Sequence, residues 1–282
     1  MASRKWLPTD LTTVTLEAWY RLVDPAGAIA LGADAGVSGT AIGATWVDRS
    51  GKSRTLTLEG AGLTFNPNAF GSGKAGIESV GQGGWRTAAG QAFPQTVLGA
   101  SILLRSDAGS GDSRAVSLIT PNGADPFDGA GVIPVSKING EGKVGYWYSF
   151  AESTTDVIVG APTLVDGVPT SMTTAKTTVN GVDGGTMSAD NLGVYAMDRL
   201  GIMGTGQGGN YVTGAVAEAF LWSGIISAAE LAQAQGYYAW NNGQQGLLPA
   251  NHAYKSAAPM VTTGGGGGQV AARRRPLMLL AS

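Results

Sequence analysis

The sequence predicts an all-β fold. The expected form is a two-sheet antiparallel jelly-roll sandwich with one short C-terminal α-helix and an extended C-terminal tail. Three observations predict it. Short segments alternate apolar and polar residues, the mark of half-buried strands. Breaks rich in glycine, proline, aspartate or asparagine separate those segments. A single stretch carries helix start and stop signals.

The first segment, residues 13–20, places Val14, Leu16, Ala18 and Tyr20 on one face and Thr13, Thr15, Glu17 and Trp19 on the other. Similar runs follow at residues 41–47, 54–59, 97–105, 114–120, 144–150, 176–179, 200–203 and 214–222. Asn66-Pro67-Asn68 and Gly109-Ser110-Gly111-Asp112 are among the breaks. Asn180-Gly181 is a hairpin dipeptide, because both residues accept positive φ. The helix is expected to begin at Ser227, with Glu230 completing an S-x-x-E capping box and Ile226 and Leu231 a hydrophobic staple. Leu231, Ala234 and Tyr238 share its apolar face. Asn241-Asn242-Gly243 should stop it, with Gly243 in the left-handed conformation.

The chain has 282 residues, within reach of one β-sandwich domain. Hydrophobic residues make up 43%, enough for a sizeable core, and 45 glycines suit many turns and close backbone approaches. Charged residues reach only 13% and the net charge is −2, so no basic field invites nucleic acid. With no cysteine, disulfides and cysteine zinc sites are excluded, and the single histidine, His252, excludes a multi-histidine metal site. The N-terminal stretch lacks the apolar run of an export signal, and no segment has the length and apolarity of a membrane span. Past Pro259 the composition changes: a pentaglycine at 264–268 precedes Arg273-Arg274-Arg275 and an apolar end. The expected division is a sandwich over residues 1–260 and a glycine-rich linker with a basic, apolar tether over 261–282.

Two stretches carry a family resemblance. One is Trp46-Val47-Asp48-Arg49-Ser50-Gly51, a W-x-D-x-S-G pattern. The other spans residues 199–255 and keeps Gly214, Ala217, Glu218, Trp222, Glu230, Gly236, Tyr237, Ala239, Trp240, Gly243, Leu248, Pro249, His252, Tyr254 and Lys255 in order. It resembles the concanavalin A-like lectin/laminin G-like domains found in bacteriophage virion proteins and bacterial surface proteins. Members close with a G-x-I-A-E-x-x-x-[YW] strand, then a short helix with G-Y-L-A-x-K-x-G, then L-P-x-x-H-P-Y-K. Here Tyr238, Asn241 and Ala253 depart from the usual leucine, lysine and proline. Residues 60–195 cannot be aligned with the pattern by eye. The resemblance implies a non-enzymatic bacteriophage virion structural or surface protein: a head decoration, fibre or tail component. Its localisation would be the virion, reached through the host cytoplasm during assembly. Its lectin-like domain would reach host-surface glycan in homo-oligomeric or multivalent display. A bacterial lectin-like adhesion domain is the alternative, and a glycan-cleaving enzyme the third reading.

Gly204–Gly209 has the glycines of a dinucleotide loop, yet a strand-like segment follows where a helix is required. Gly71-Ser72-Gly73-Lys74 lacks the first glycine and the Ser/Thr of a phosphate loop. The E-x-D-x-x-E pattern of retaining glycan hydrolases is absent. Glu17 and Glu218 each stand alone in a strand, and His252 is expected to pack at the C-terminal closure. No cofactor is expected. Calcium at Asp107/Asp112 or Asp125/Asp128 is not favoured, since neither loop has EF-hand spacing. The ligand contacts expected are aromatic, because a sugar ring stacks on an aromatic face. Trp85 and Arg86, in the glycine-rich loop expected at residues 81–86 and so exposed, are the first choice, and Trp147 the second. Partner docking is assigned to the tail, through Arg273, Arg274, Arg275, Leu277, Leu279 and Leu280.

Overall fold

The computed structural model describes residues 2–22, 40–41, 45–107, 114–119, 131–136, 143–147, 152–188, 196–204 and 211–263. In chain order the strands begin with β1 (Ala2–Lys5), β2 (Thr15–Arg21), β3 (Thr40–Ala41), β4 (Thr45–Trp46), β5 (Leu56–Gly60), β6 (Leu63–Asn66) and β7 (Gly76–Val80). They continue with β8 (Gly83–Thr87), β9 (Leu98–Ser106), β10 (Arg114–Ile119), β11 (Gly131–Ser136), β12 (Lys143–Trp147) and β13 (Glu152–Asp156). The last are β14 (Pro162–Pro169), β15 (Thr174–Val179), β16 (Val182–Ser188), β17 (Arg199–Ile202), β18 (Thr213–Ser223) and β19 (Met260–Thr263). The α-helix α1 spans Ala228–Asn241.

These strands build the antiparallel sandwich that the alternation predicts. One sheet runs β13-β12-β11-β10-β17-β8-β5-β4. The other runs β16-β15-β14-β9-β18-β7-β6-β3, with β2 also paired to β18. The long strand β18 is the spine of the second sheet. It lies along β9 on one side, and along β7 and then β2 on the other. A separate small sheet pairs β1 with β19, Ala2 opposite Thr263 and Lys5 opposite Met260. The boundary expected at residues 260–261 therefore falls inside a strand.

Two cores hold these layers. Between the sheets lie Ala18, Tyr20, Trp46, Leu56, Ile102, Leu118, Val165, Leu200, Val216 and Leu221. The second core lies between the far face of the β18 sheet and α1, and includes Trp6, Trp19, Leu103, Phe220, Trp222, Leu231, Ala234 and Tyr238. This second core corrects the reading of β2 as half-buried, because Glu17, Ala18, Trp19 and Tyr20 are all buried. It also explains strands that alternation overlooked. Strand β14 is buried along nearly all its length and shows no period of two.

Local signals held where they rest on backbone geometry. Asn180 and Gly181 join β15 to β16 with φ of 53° and 78°. The side chain of Ser227 accepts the Glu230 N–H at 3.2 Å and caps α1, and Gly243 has φ +64° past its end. The other half of the capping box is replaced. The Glu230 carboxylate turns to the N-terminal segment, accepting from the Thr12 and Thr13 backbone N–H groups and hydroxyls. A register shift in β18 between Val216 and Glu218 breaks its alternation, and Glu218 reaches the helix-side core.

Candidate functional site

The main cleft of the described molecule, about 490 Å³, lies on the helix side of the β18 sheet. Its walls are the first half of α1, the ends of β14 and β15 with the start of β16, and the segment from Pro249 to Ala253. Ile226 and Leu231, buried under the helix start, give it an apolar floor. The polar groups come from three directions. Lys176 on β15 and Asp183 on β16 form an ion pair at 2.8 Å on the exposed rim. That hydrogen bond holds the Asp183 carboxyl below its usual range. Asn251 stands exposed on the C-terminal segment.

The third direction is a chain of side chains leading inward. His252 Nδ1 accepts the Tyr254 N–H at 3.2 Å, which assigns the ring proton to Nε2. Nε2 then donates to Gln235 Oε1 at 3.0 Å. Gln235 Nε2 donates to Asp166 Oδ2 at 2.8 Å and to Thr178 Oγ1 at 3.0 Å. The Ser101 and Thr178 hydroxyls also donate to Asp166. Burial pushes the Asp166 carboxyl up, against the pull of these donors. Burial, and then the Lys255 charge, push the His252 imidazole down, so the neutral ring is the stable form. The chain locks the wall of the cleft and leaves no free base in it.

Carboxylates elsewhere are engaged in the same way. Glu17 accepts from Arg54 Nη1 at 2.8 Å and Ser223 Oγ at 2.7 Å. Asp48, from the W-x-D-x-S-G pattern, accepts the backbone N–H groups of Trp19, Ser50 and Arg54, tying that turn to β2. Glu218 accepts from Trp19 Nε1 and Tyr237 Oη, both at 2.7 Å, and from the Asn241 and Asn242 amides. Among the described residues that line the cleft, Asp183 is the single carboxylate. The arrangement offers an ammonium, a carboxylate and an amide above an apolar floor. Such a surface suits a ligand whose hydroxyls both donate and accept.

The expected aromatic contact is corrected. Trp85 is 3% exposed, on the inner face of β8, with its ring 5.7 Å from that of Trp46. Its glycine-rich surroundings are strand, not loop. A Cβ on Gly83 would sit 2.5 Å from the Ala61 carbonyl oxygen, and one on Gly84 would sit 3.0 Å from the Ile202 and Met203 carbonyl oxygens. These glycines let strands approach closely, so the indole points into the core. Arg86 faces the other way and pairs with Glu59 at 2.9 Å. Trp147 ends β12 in register with Ile133, and its side chain lies outside the described residues. Outside them too lie the tail residues Arg273, Arg274, Arg275, Leu277, Leu279 and Leu280, and Asp112, Asp125 and Asp128. Asp107 is engaged by Arg105 through both oxygens at 2.6 Å. The structure thus does not bring the expected contacts together. The cleft residues Lys176, Asp183, Gln235 and Asn251 escaped the sequence reading. One signal pointed to them: Gln235 is a polar residue beside Leu231, Ala234 and Tyr238 on the apolar stripe of α1.

No protein-family model matches the chain, and no curated protein matches it in sequence. Solved structures do match in shape. Domain 4 of AbnA, a GH43 extracellular arabinanase from Geobacillus stearothermophilus in complex with arabinotriose, has a TM-score of 0.54 at 13% identity, over 78% of this chain and 98% of that one. Trypanosoma rangeli sialidase has a TM-score of 0.50 at 14% identity, over 77% of this chain and 32% of the sialidase. The likeness therefore takes in about a third of that enzyme. What these neighbours share with the chain is the fold, an antiparallel β-sandwich.

Proposed function

We propose that this chain is a non-catalytic, lectin-like module that holds host-surface glycan in the cleft beside α1 and is displayed on a bacteriophage virion. The observation that carries the glycan reading is the cleft itself. Lys176, Asp183 and Asn251 present mixed donors and acceptors over Ile226 and Leu231. The arabinotriose complex of the similarly folded AbnA domain supports it. The non-catalytic reading is supported by the single carboxylate among the described residues lining the cleft, since glycan hydrolysis of the common kind needs two facing carboxyl groups. The virion reading is supported by the resemblance of residues 199–255 to the closing segments of virion lectin-like domains.

The test is a binding screen against oligosaccharides from bacterial surface polysaccharides, with reducing-end release followed in parallel. The expected result is millimolar-to-micromolar binding that falls about tenfold in Asn251→Ala and in Asp183→Ala, with no release of reducing ends. Both positions are exposed, so both variants should fold. Binding that survives both substitutions would move the site elsewhere. Reducing-end release abolished by Asp183→Asn would replace the module with an enzyme.

A further inference from the structure

A second cavity, about 180 Å³, lies where the small terminal sheet meets the end of α1. It is unlike the cleft in chemistry. Three aromatic rings line it: Trp6, Tyr237 and Trp240. Trp6 and Tyr237 are buried and meet edge to face at 5.8 Å. Trp240 is half-buried, and its indole N–H donates to the Tyr254 carbonyl at 2.8 Å, which fixes the ring plane. Two cationic side chains, Lys5 and Arg21, also line the cavity, and among the described residues no carboxylate does.

Arg21 is held in place but not used up. Its Nη2 donates to Asn241 Oδ1 at 2.6 Å. Its Nε is buried and has no hydrogen-bond partner. Glu218 stands behind the wall, accepting from the Asn241 amide at 3.1 Å, and offsets part of the Arg21 charge. Lys5 adds a second positive charge, so the field in the cavity is positive.

We infer that this cavity is a binding site for a small carboxylate carried on a ring, with the anion on Arg21 and Lys5 and the ring against Trp240 and Tyr237. Arginine is the side chain best matched to a carboxylate, because its planar fork gives two parallel N–H donors. Aromatic walls take the flat or C–H face of a ring. The volume holds about six waters at roughly 30 Å³ each, the space of one monosaccharide-sized molecule and not of an oligosaccharide. An acidic sugar and an aromatic acid share this chemistry. The site does not depend on the glycan reading of the larger cleft.

Tryptophan fluorescence of the full chain tests it, since Trp6 and Trp240 line the cavity. The probes are glucuronate, benzoate and neutral glucose. Saturable quenching by glucuronate, by benzoate or by both is expected, with glucose silent at the same concentrations. Quenching by one probe alone identifies the acidic-sugar or the aromatic-acid source. Arg21→Gln should weaken the response about tenfold, and added salt should weaken it further. Lys5 is exposed, and Trp240→Phe keeps an aromatic wall. Lys5→Gln and Trp240→Phe therefore carry the test if Arg21→Gln fails to fold, each expected to weaken binding severalfold. No saturable quenching by either acid up to about 10 mM would overturn the site. So would equal quenching by glucose, or wild-type affinity in both Lys5→Gln and Trp240→Phe.

Discussion

Glu218 is fully buried, yet its surroundings make it a joint and not a reagent. Its oxygens accept from groups on β2 and on α1, so one carboxylate ties the helix to the sheet beneath it. Burial pushes this carboxyl up, against the pull of its donors, and Asp166 behaves alike. A carboxyl raised in the folded state holds its proton more tightly there than in the unfolded chain. Its stabilising effect is full below the ordinary carboxylate range and is lost as pH rises through the raised value. Glu230 runs the other way. Burial pushes it up, but the Thr12 and Thr13 bonds outweigh that, so its contribution is lost as pH falls. Glu218→Gln should therefore remove part of the stability loss as pH rises above the ordinary carboxylate range, read by urea unfolding from about pH 4.5 upward. Glu218→Ala should cost about 3–5 kcal/mol near the low end of that range and less as pH rises, because the Trp19 and Tyr237 donors are left stranded. A flat profile in the wild type would contradict the assignment. None of these partnerships was legible locally. The Trp19 to Glu218 bond joins residues 199 positions apart, and the Arg54 to Glu17 bond joins residues 37 apart.

At the scale of elements, legibility followed exposure and turn chemistry. The Asn180-Gly181 hairpin and the Ser227 cap were readable because each depends on the backbone needs of one or two residues. Strand β14, buried along nearly all its length, was not, because a second core under α1 erases the alternation that period-two reading uses. The glycine-rich approach to Trp85 was misread for a related reason. Glycine marks loops and tight strand contacts alike, and only the neighbours distinguish them. Gly236 is such a contact within α1. A Cβ there would lie 2.6 Å from the Tyr254 Cβ, so the helix and the C-terminal segment touch backbone to side chain. Gly236→Ala gains helix propensity of roughly 1 kcal/mol but must push Tyr254 away. The expected outcome is a net loss of stability, with faster amide exchange at 249–255 than in the sheets. Exchange unchanged in that segment would show that the helix moves instead. Because His252 belongs to the same segment, the cleft should also weaken in this variant.

At the scale of the whole molecule, the β10 sheet and the helix pack against opposite faces of the β18 sheet. The helix layer, and not the sandwich alone, supplies walls of both cavities. That placement was not legible in advance, since the expected ligand contacts were a glycine-rich loop at Trp85 and Arg86 and the strand carrying Trp147, whereas the cleft lies beside α1. On the reading of residues 264–282 as a separate tether, deleting them should leave the thermal midpoint within about 2 °C of the full chain, a shift below that of 1 kcal/mol. On the virion reading, the same deletion should abolish incorporation into particles, scored by immunoblot of purified phage. Normal incorporation would remove the tether. The pairing of β1 with β19 has a separate consequence for anyone building with this fold. Ala2 and Thr263 are direct neighbours across a ladder, so both ends leave from one spot. The domain can be grafted whole into a surface turn of another protein, or its ends spliced and the chain reopened at an exposed turn such as Gly71–Gly73, without unthreading either sheet.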